Sequence, residues 1–165
     1  MTDRQRCLTY NDYLIQEKEG IGLLQERKIF PGYMKDVHLP KEACEQEIEA
    51  YRICKCGKVD QDAFLNSYEE YVKKGWLNQL DLDDPKSYSC SLYAKRRDAK
   101  RRLQFFTKRN PKAIMAKGTT KGEKGVSAFT REWDDTCHSS HVDYWLYQGQ
   151  NPFTDFEEVD IRENQ

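Results

Sequence analysis

Apolar positions recur along the chain in two rhythms, one helical and one extended. Between residues 40 and 56, Cys44, Ile48 and Tyr51 fall at i, i+4 and i+7, the spacing of a helix with one buried stripe. Pro40 suits its first position and Gly57 its C-terminal cap. Glu42, Glu45, Glu47 and Glu49 crowd the early turns, and Arg52, Lys55 and Lys58 lie near the end, which complements the helix macrodipole. Asp60 is placed to cap a second helix ending at Lys73-Lys74-Gly75, with Phe64, Tyr68, Tyr71 and Val72 on one face. Joined by a short Gly-containing link, the two predict an antiparallel helical hairpin over about 40–74. Upstream, residues 9–19 read as a short helix capped by Thr9 and ended by Gly20 and Gly22.

The loop Asp81-Leu-Asp-Asp-Pro85 marks a change of period. Residues 87–93 alternate, with Tyr88, Cys90 and Leu92 on one face of a strand. Residues 95–109 return to helical spacing, with Ala99, Leu103 and Phe106 as the buried stripe and a stop at Asn110-Pro111. Short strands follow at 113–116 and 126–130. The clearest is 142–147, where Val142, Tyr144 and Leu146 oppose Asp143, Trp145 and Tyr147. Its second face is also aromatic, so cover is expected on both sides. The expected fold is a single α+β domain over 1–165. A helical half (about 1–80) precedes a β-α-β-β-β unit (about 86–160) that forms a small, mainly antiparallel sheet.

Composition supports a folded chain. Leu, Ile, Val and Phe are only 32 of 165 residues, close to the range of disordered chains, but the net charge is −1 and disorder also needs a large one. Ten Tyr and three Trp supply ring area for an aromatic core. The N-terminal residues are polar, without the apolar run of a signal peptide, and Ile21-Gly-Leu-Leu24 is far too short to span a bilayer. A cytoplasmic location without membrane contact is expected. The six cysteines (Cys7, Cys44, Cys54, Cys56, Cys90, Cys137) are then mostly reduced.

Splitting the charge by segment changes the picture. Residues 95–124 hold twelve bases and two acids, a formal +10, whereas 126–165 hold nine acids and two bases, a formal −7. On the helix at 95–109, Arg97, Arg101 and Lys108 fall opposite the buried stripe. With Lys117, Lys121 and Lys124 of the Lys/Gly loop 117–125, they make an anion-binding surface of the kind that gives salt-sensitive, sequence-independent nucleic-acid binding. The same pattern fits a solvated helix face, or internal pairing with the acidic C-terminal region.

Motifs for chemistry are sparse. Gly118 to Gly122 is one residue short of the Walker spacing, and no Gly-Lys-Ser/Thr follows, so 117–125 reads as a flexible loop. Cys54-Lys-Cys56 and Cys137-His-Ser-Ser-His141 are the only clusters of zinc-ligand type, and the single residue between Cys54 and Cys56 is atypical for zinc. No metal and no cofactor is therefore assigned, with Cys54, Cys56, Cys137, His138 and His141 as the residues to check. His141 leads into the strand at 142–147, where a histidine bonded at a strand end is ordinary.

The C-terminal half, through Tyr88-Ser-Cys-Ser91, Ile114-Met-Ala-Lys-Gly118 and Ser140-His-Val-Asp-Tyr-Trp-Leu-Tyr147, resembles small uncharacterised bacterial proteins with similarly spaced segments. That resemblance covers about the last half of the chain and implies no activity. The strand at Tyr88-Ser-Cys-Ser91 followed by a helix, with Glu157 and Glu158 late in the chain, also resembles ADP-ribosyltransferases, which place a serine-containing strand and a late glutamate around NAD. It implies an enzyme using NAD or another phosphorylated small molecule, with His141, Ser89, Ser91 and Glu157 or Glu158 at its site. The family's early-strand arginine or histidine finds no matching position, because the N-terminal half reads as helix.

The reading that follows is a small interaction protein that binds an anionic macromolecule, either nucleic acid or an acidic protein face, through the basic helix and the Lys/Gly loop. The alternatives are the enzyme above and an inhibitor or adaptor acting through protein contacts, which exposed rings at Trp145 or Tyr147 would favour.

Overall fold

The computed structural model describes residues 28–162. The expected helix at 9–19 and Cys7 lie outside them. Six strands form one sheet: β1 (Glu49–Cys54), β2 (Cys90–Tyr93), β3 (Ile114–Thr119), β4 (Gly125–Phe129), β5 (His141–Leu146) and β6 (Phe156–Val159). Their order is β4-β5-β2-β1-β3-β6, and each neighbouring pair is antiparallel. The described α-helices are α1 (Ser67–Lys74) and α2 (Arg96–Thr107).

The expected helical N-terminal half is overturned. Residues 49–54, placed above in the first helix of a hairpin over 40–74, are instead β1, near the middle of the sheet. Ala50 to Cys54 are all buried, because α2 covers one face of the strand and the turn at Gln61–Phe64 covers the other. A strand buried on both faces loses its alternation, and the accidental i, i+4, i+7 spacing of Cys44, Ile48 and Tyr51 then resembles a helix. The acids upstream carry the true period. Glu45, Glu47 and Glu49 alternate along an extended chain, and Glu47 and Glu49 pair with Lys121 and Lys117. The second expected helix is shortened to α1. Asn66 caps it in a reciprocal box with Glu69, and Gly75 ends it at φ 69°.

The C-terminal half follows the sequence more closely. The expected helix at 95–109 is α2, and the expected strands at 87–93, 113–116, 126–130 and 142–147 correspond to β2, β3, β4 and β5 with shifted ends. β6 has no counterpart among the expected elements. It pairs with β3 at one edge of the sheet.

Register fixes which side chains share a face. Tyr93 opposes His141 and Ser91 opposes Asp143, so these four lie on the side that α2 covers further along. Tyr51, Ile53 and Met115 meet Ala99 and Leu103 of α2 there. The opposite face buries Ala50, Cys54, Cys90, Leu92, Ala116, Val142 and Tyr144 under Phe64 and Phe156. Trp145 and Tyr147 are buried with Phe30, Met34 and Tyr88, so the second aromatic face of β5 is indeed covered.

The sheet curls. β3 and β4 are four places apart in strand order, about 19 Å in a flat sheet. Yet only residues 120–124 join them, and these include a turn closed by Lys124 N–H on Lys121 O (3.0 Å). The ends of the two strands must therefore approach each other. Residues 44–48 lie across the gap: Cys44 bridges Ser127 of β4, and Ile48 N–H donates to Thr120 Oγ1 (2.8 Å). Tyr144 Oη accepts from Lys121 N–H (3.0 Å) and donates to Lys121 O (2.9 Å). The segment 117–125 is therefore part strand and part pinned turn, not the flexible loop expected. Among the described residues, no helix is long and apolar enough to cross a membrane.

Candidate functional site

α2 carries the charge that the sequence singled out. Its inner face is short and small, Ala99 and Leu103, so the helix packs close against β1 and β3. Its N-terminus is fixed by Ser140, whose Oγ accepts from Lys95 N–H (2.9 Å) and whose N–H donates to Asp98 Oδ2 (2.9 Å). Asp98 is the sole acid of α2, and it is buried. The Ser140 hydrogen bonds hold its carboxyl below the usual carboxylate range. The helix's one negative charge is thus spent on anchoring, and Arg97 reaches it only at 3.5 Å from an exposed position.

The outer face is cationic and largely unpaired. Arg97, Arg101 and Lys108 are exposed, in keeping with the helical period. Among the described residues, no carboxylate lies within 4.0 Å of the side-chain nitrogens of Lys100, Arg101, Arg102, Lys108, Arg109 or Lys112. Between these cations stands Phe105, 52% exposed. The Arg102 guanidinium lies 5.2 Å from its ring centroid and that of Arg109 lies 6.0 Å away. Phe106, the next residue, turns inward, with Arg102 4.8 Å and Lys55 Nζ 5.2 Å from its ring.

The three lysines that follow differ. Lys117 pairs with Glu49 (3.0 Å), Lys121 with Glu47 (3.3 Å) and Lys124 with Asp155 (2.7 Å). The Glu49 hydrogen bond raises the Lys117 pKa. The first two pairs are half exposed and contribute little. Lys124 and Asp155 are mostly buried and tie the turn to the segment before β6. So internal pairing takes the loop lysines and leaves the helix.

The other residues singled out fall in different places. Asp143 is fully buried on β5 and gathers a polar cluster. Ser89 Oγ donates to its Oδ1 (2.5 Å) and Thr130 Oγ1 to its Oδ2 (2.6 Å). His141 Nδ1 lies 2.5 Å from Thr130 Oγ1. Since that hydroxyl gives its one proton to Asp143, His141 must donate through Nδ1–H, which sets its tautomer. Burial lowers the His141 pKa, against the pull of the Asp143 carboxylate. Tyr93 packs edge-on against the imidazole at 5.3 Å. The cluster locks the start of β5 to the residue after β4 and to the lead-in of β2, and it commits both hydroxyls inward.

Ser91 gives its carbonyl to Arg52 Nη1 (2.8 Å). Glu157 and Glu158 are exposed on β6, three strand spacings from β2, about 14 Å in a flat sheet. Of the enzyme residues proposed from sequence, Ser89 and His141 thus meet through the buried Asp143–Thr130 chain, while Glu157 and Glu158 stand three places away in strand order. Cys54 is buried with its thiol pushed up to about 12 by burial, while Cys56 and His138 are exposed. Cys137 Sγ contacts Ser139. Among the described residues, no three His, Cys, Asp or Glu side chains converge as a metal-binding group. Buried Trp145 and Tyr147 provide no exposed aromatic surface for an adaptor.

Phe105 is absent from the residues that the sequence singled out. Its signal lies in the periodicity: Phe106 continues the stripe of Ala99 and Leu103, so its neighbour Phe105, about 100° further round, must leave it. No family model, curated protein or solved structure matches the chain.

Proposed function

We propose that the protein is an interaction module that binds an anionic macromolecule through the outer face of α2. One observation carries this reading: among the described residues, the six cations from Lys100 to Lys112 have no acid partner, although the chain bears 28 acids and uses three of them on Lys117, Lys121 and Lys124. Unpaired cations held on a helix and on the turn that follows it keep their hydration and their field, and release counterions when phosphates or carboxylates replace them. The binding residues are Arg97, Arg101, Arg102, Lys108, Arg109 and Lys112. Lys117 and Lys121 form a secondary rim, because their exposed pairs exchange partners at little cost.

An electrophoretic shift series over salt, on nucleic acid and on an acidic polypeptide, tests the reading. Binding that weakens steeply with salt is expected. The double variant Arg101→Ala, Lys108→Ala should flatten the log–log salt slope by about 0.7–0.9 for each phosphate that it no longer neutralises. No retention of any polyanion at low salt would refute the reading.

A further inference from the structure

We infer that the partner of α2 is a single-stranded nucleic acid, with Phe105 as a platform on which a base stacks. The inference rests on the anion-binding reading above and deepens it. Phosphate contacts explain the cations but not a half-exposed phenyl ring at their centre. Beside a duplex backbone that ring would meet only charged, hydrated phosphates and gain nothing from burial. A single strand offers unpaired base faces as well as phosphates.

The geometry suits that ligand. Arg102 and Phe105 are neighbours at i and i+3 on α2, and Arg109 follows in the turn just past its end, so three planar groups gather around one ring. The guanidinium carbons lie 5.2 and 6.0 Å from the ring centroid. Guanidinium planes and aromatic rings both stack bases without demanding a sequence. Arg101 and Lys108, at i and i+7 on the adjoining ridge, are placed for the phosphates between stacked bases. Asp98, the acid nearest this ridge in sequence, is buried beneath it and bonded to Ser140, so it does not repel the strand. An acidic protein surface would satisfy the same cations, but would leave Phe105 facing carboxylates.

The test is fluorescence anisotropy of the full chain with a labelled 20-mer of dT, the same length of U, and the dA·dT duplex, each over a salt series. The expected result is tighter binding of both single strands than of the duplex. Phe105→Ala should weaken single-strand binding roughly 5- to 150-fold and leave the salt slope unchanged. Phe105→Trp should restore binding, and Phe105→Leu should not. Because Phe105 is exposed, the unfolding midpoint of each variant should match the wild type, which separates a loss of stacking from a loss of structure. Equal or tighter duplex binding, or Phe105→Ala with wild-type affinity, overturns the single-strand inference while the anion-binding reading stands. Binding of an acidic polypeptide but of no nucleic acid likewise overturns this inference alone. Failure to bind any of these polyanions at low salt overturns both.

Discussion

The Asp143 cluster makes a pH prediction that separates a structural His141 from a working acid or base. His141 donates Nδ1–H into the Thr130–Asp143 chain, and its imidazole is mostly buried, with 16% of the side chain exposed. Burial lowers its folded-state pKa from 6.5, so the unfolded chain takes up the proton first. As pH falls through 6.5 towards the folded pKa, the unfolded state gains, and stability declines. One proton bounds the slope at about 1.4 kcal/mol per pH unit. In a domain of this size that is about 3–5 °C in Tm per unit. His141→Asn keeps an amide donor near Thr130 and removes the titration. The assay is the difference in Tm between wild type and His141→Asn from pH 7.5 to 5.5, which cancels His38, His138 and the carboxylates. Wild type should lose more stability than the variant. An equal loss would mean that His141 is not held neutral. A wild type that gains on the variant at low pH would mean that the Asp143 charge dominates and that the imidazole is built to be charged.

Two further predictions concern the frame under α2. Arg52 is buried on β1, and its guanidinium donates to the carbonyls of Ala63 (2.7 Å), Ser91 (2.8 Å) and Leu65 (3.1 Å). Arg52→Ala strands three carbonyls and should cost about 3–5 kcal/mol in denaturant unfolding; Arg52→Lys, unable to reach all three, should recover only part, and a loss under about 1 kcal/mol for Ala would refute the account. At Gly118 of β3, an added Cβ would sit 2.2 Å from Asp155 O and 2.5 Å from Phe156 Cγ, so Gly118→Ala should push β6 away and destabilise by about 1–3 kcal/mol. Hydrogen exchange should localise that loss to β6, and unchanged protection there would refute the packing argument.

Where the sequence misleads, it does so for identifiable reasons. α2 and β5 are readable because each has one clear apolar stripe or an alternating face. β1 is not, because burial on both faces removes the contrast between positions that periodicity depends on. The period-two run Glu45, Glu47, Glu49 is present, but placing those acids at a helix N-terminus is an equally consistent use of the same letters. β6 offers two adjacent exposed glutamates between Phe156 and Val159, a pattern too short to register. No local rule could recover the Asp143 cluster, since its bonds run between residues 54 and 13 positions apart.

The candidate site shows the same division between local and long-range information. Which residues are charged, and which face of α2 they occupy, follows from composition and the helical period. Which of them are free does not, because Lys117, Lys121 and Lys124 are neutralised by acids 68 to 74 residues earlier or 31 residues later in the chain. The net charge of −1 thus conceals two different kinds of cancellation. Along β3 and the turn after it the opposite charges touch, and a partner would have to displace the acids already there. On α2 they merely share a molecule, and its only acid is turned inward to bond Ser140. Only the second kind leaves a field at the surface, and Phe105 stands in the middle of it.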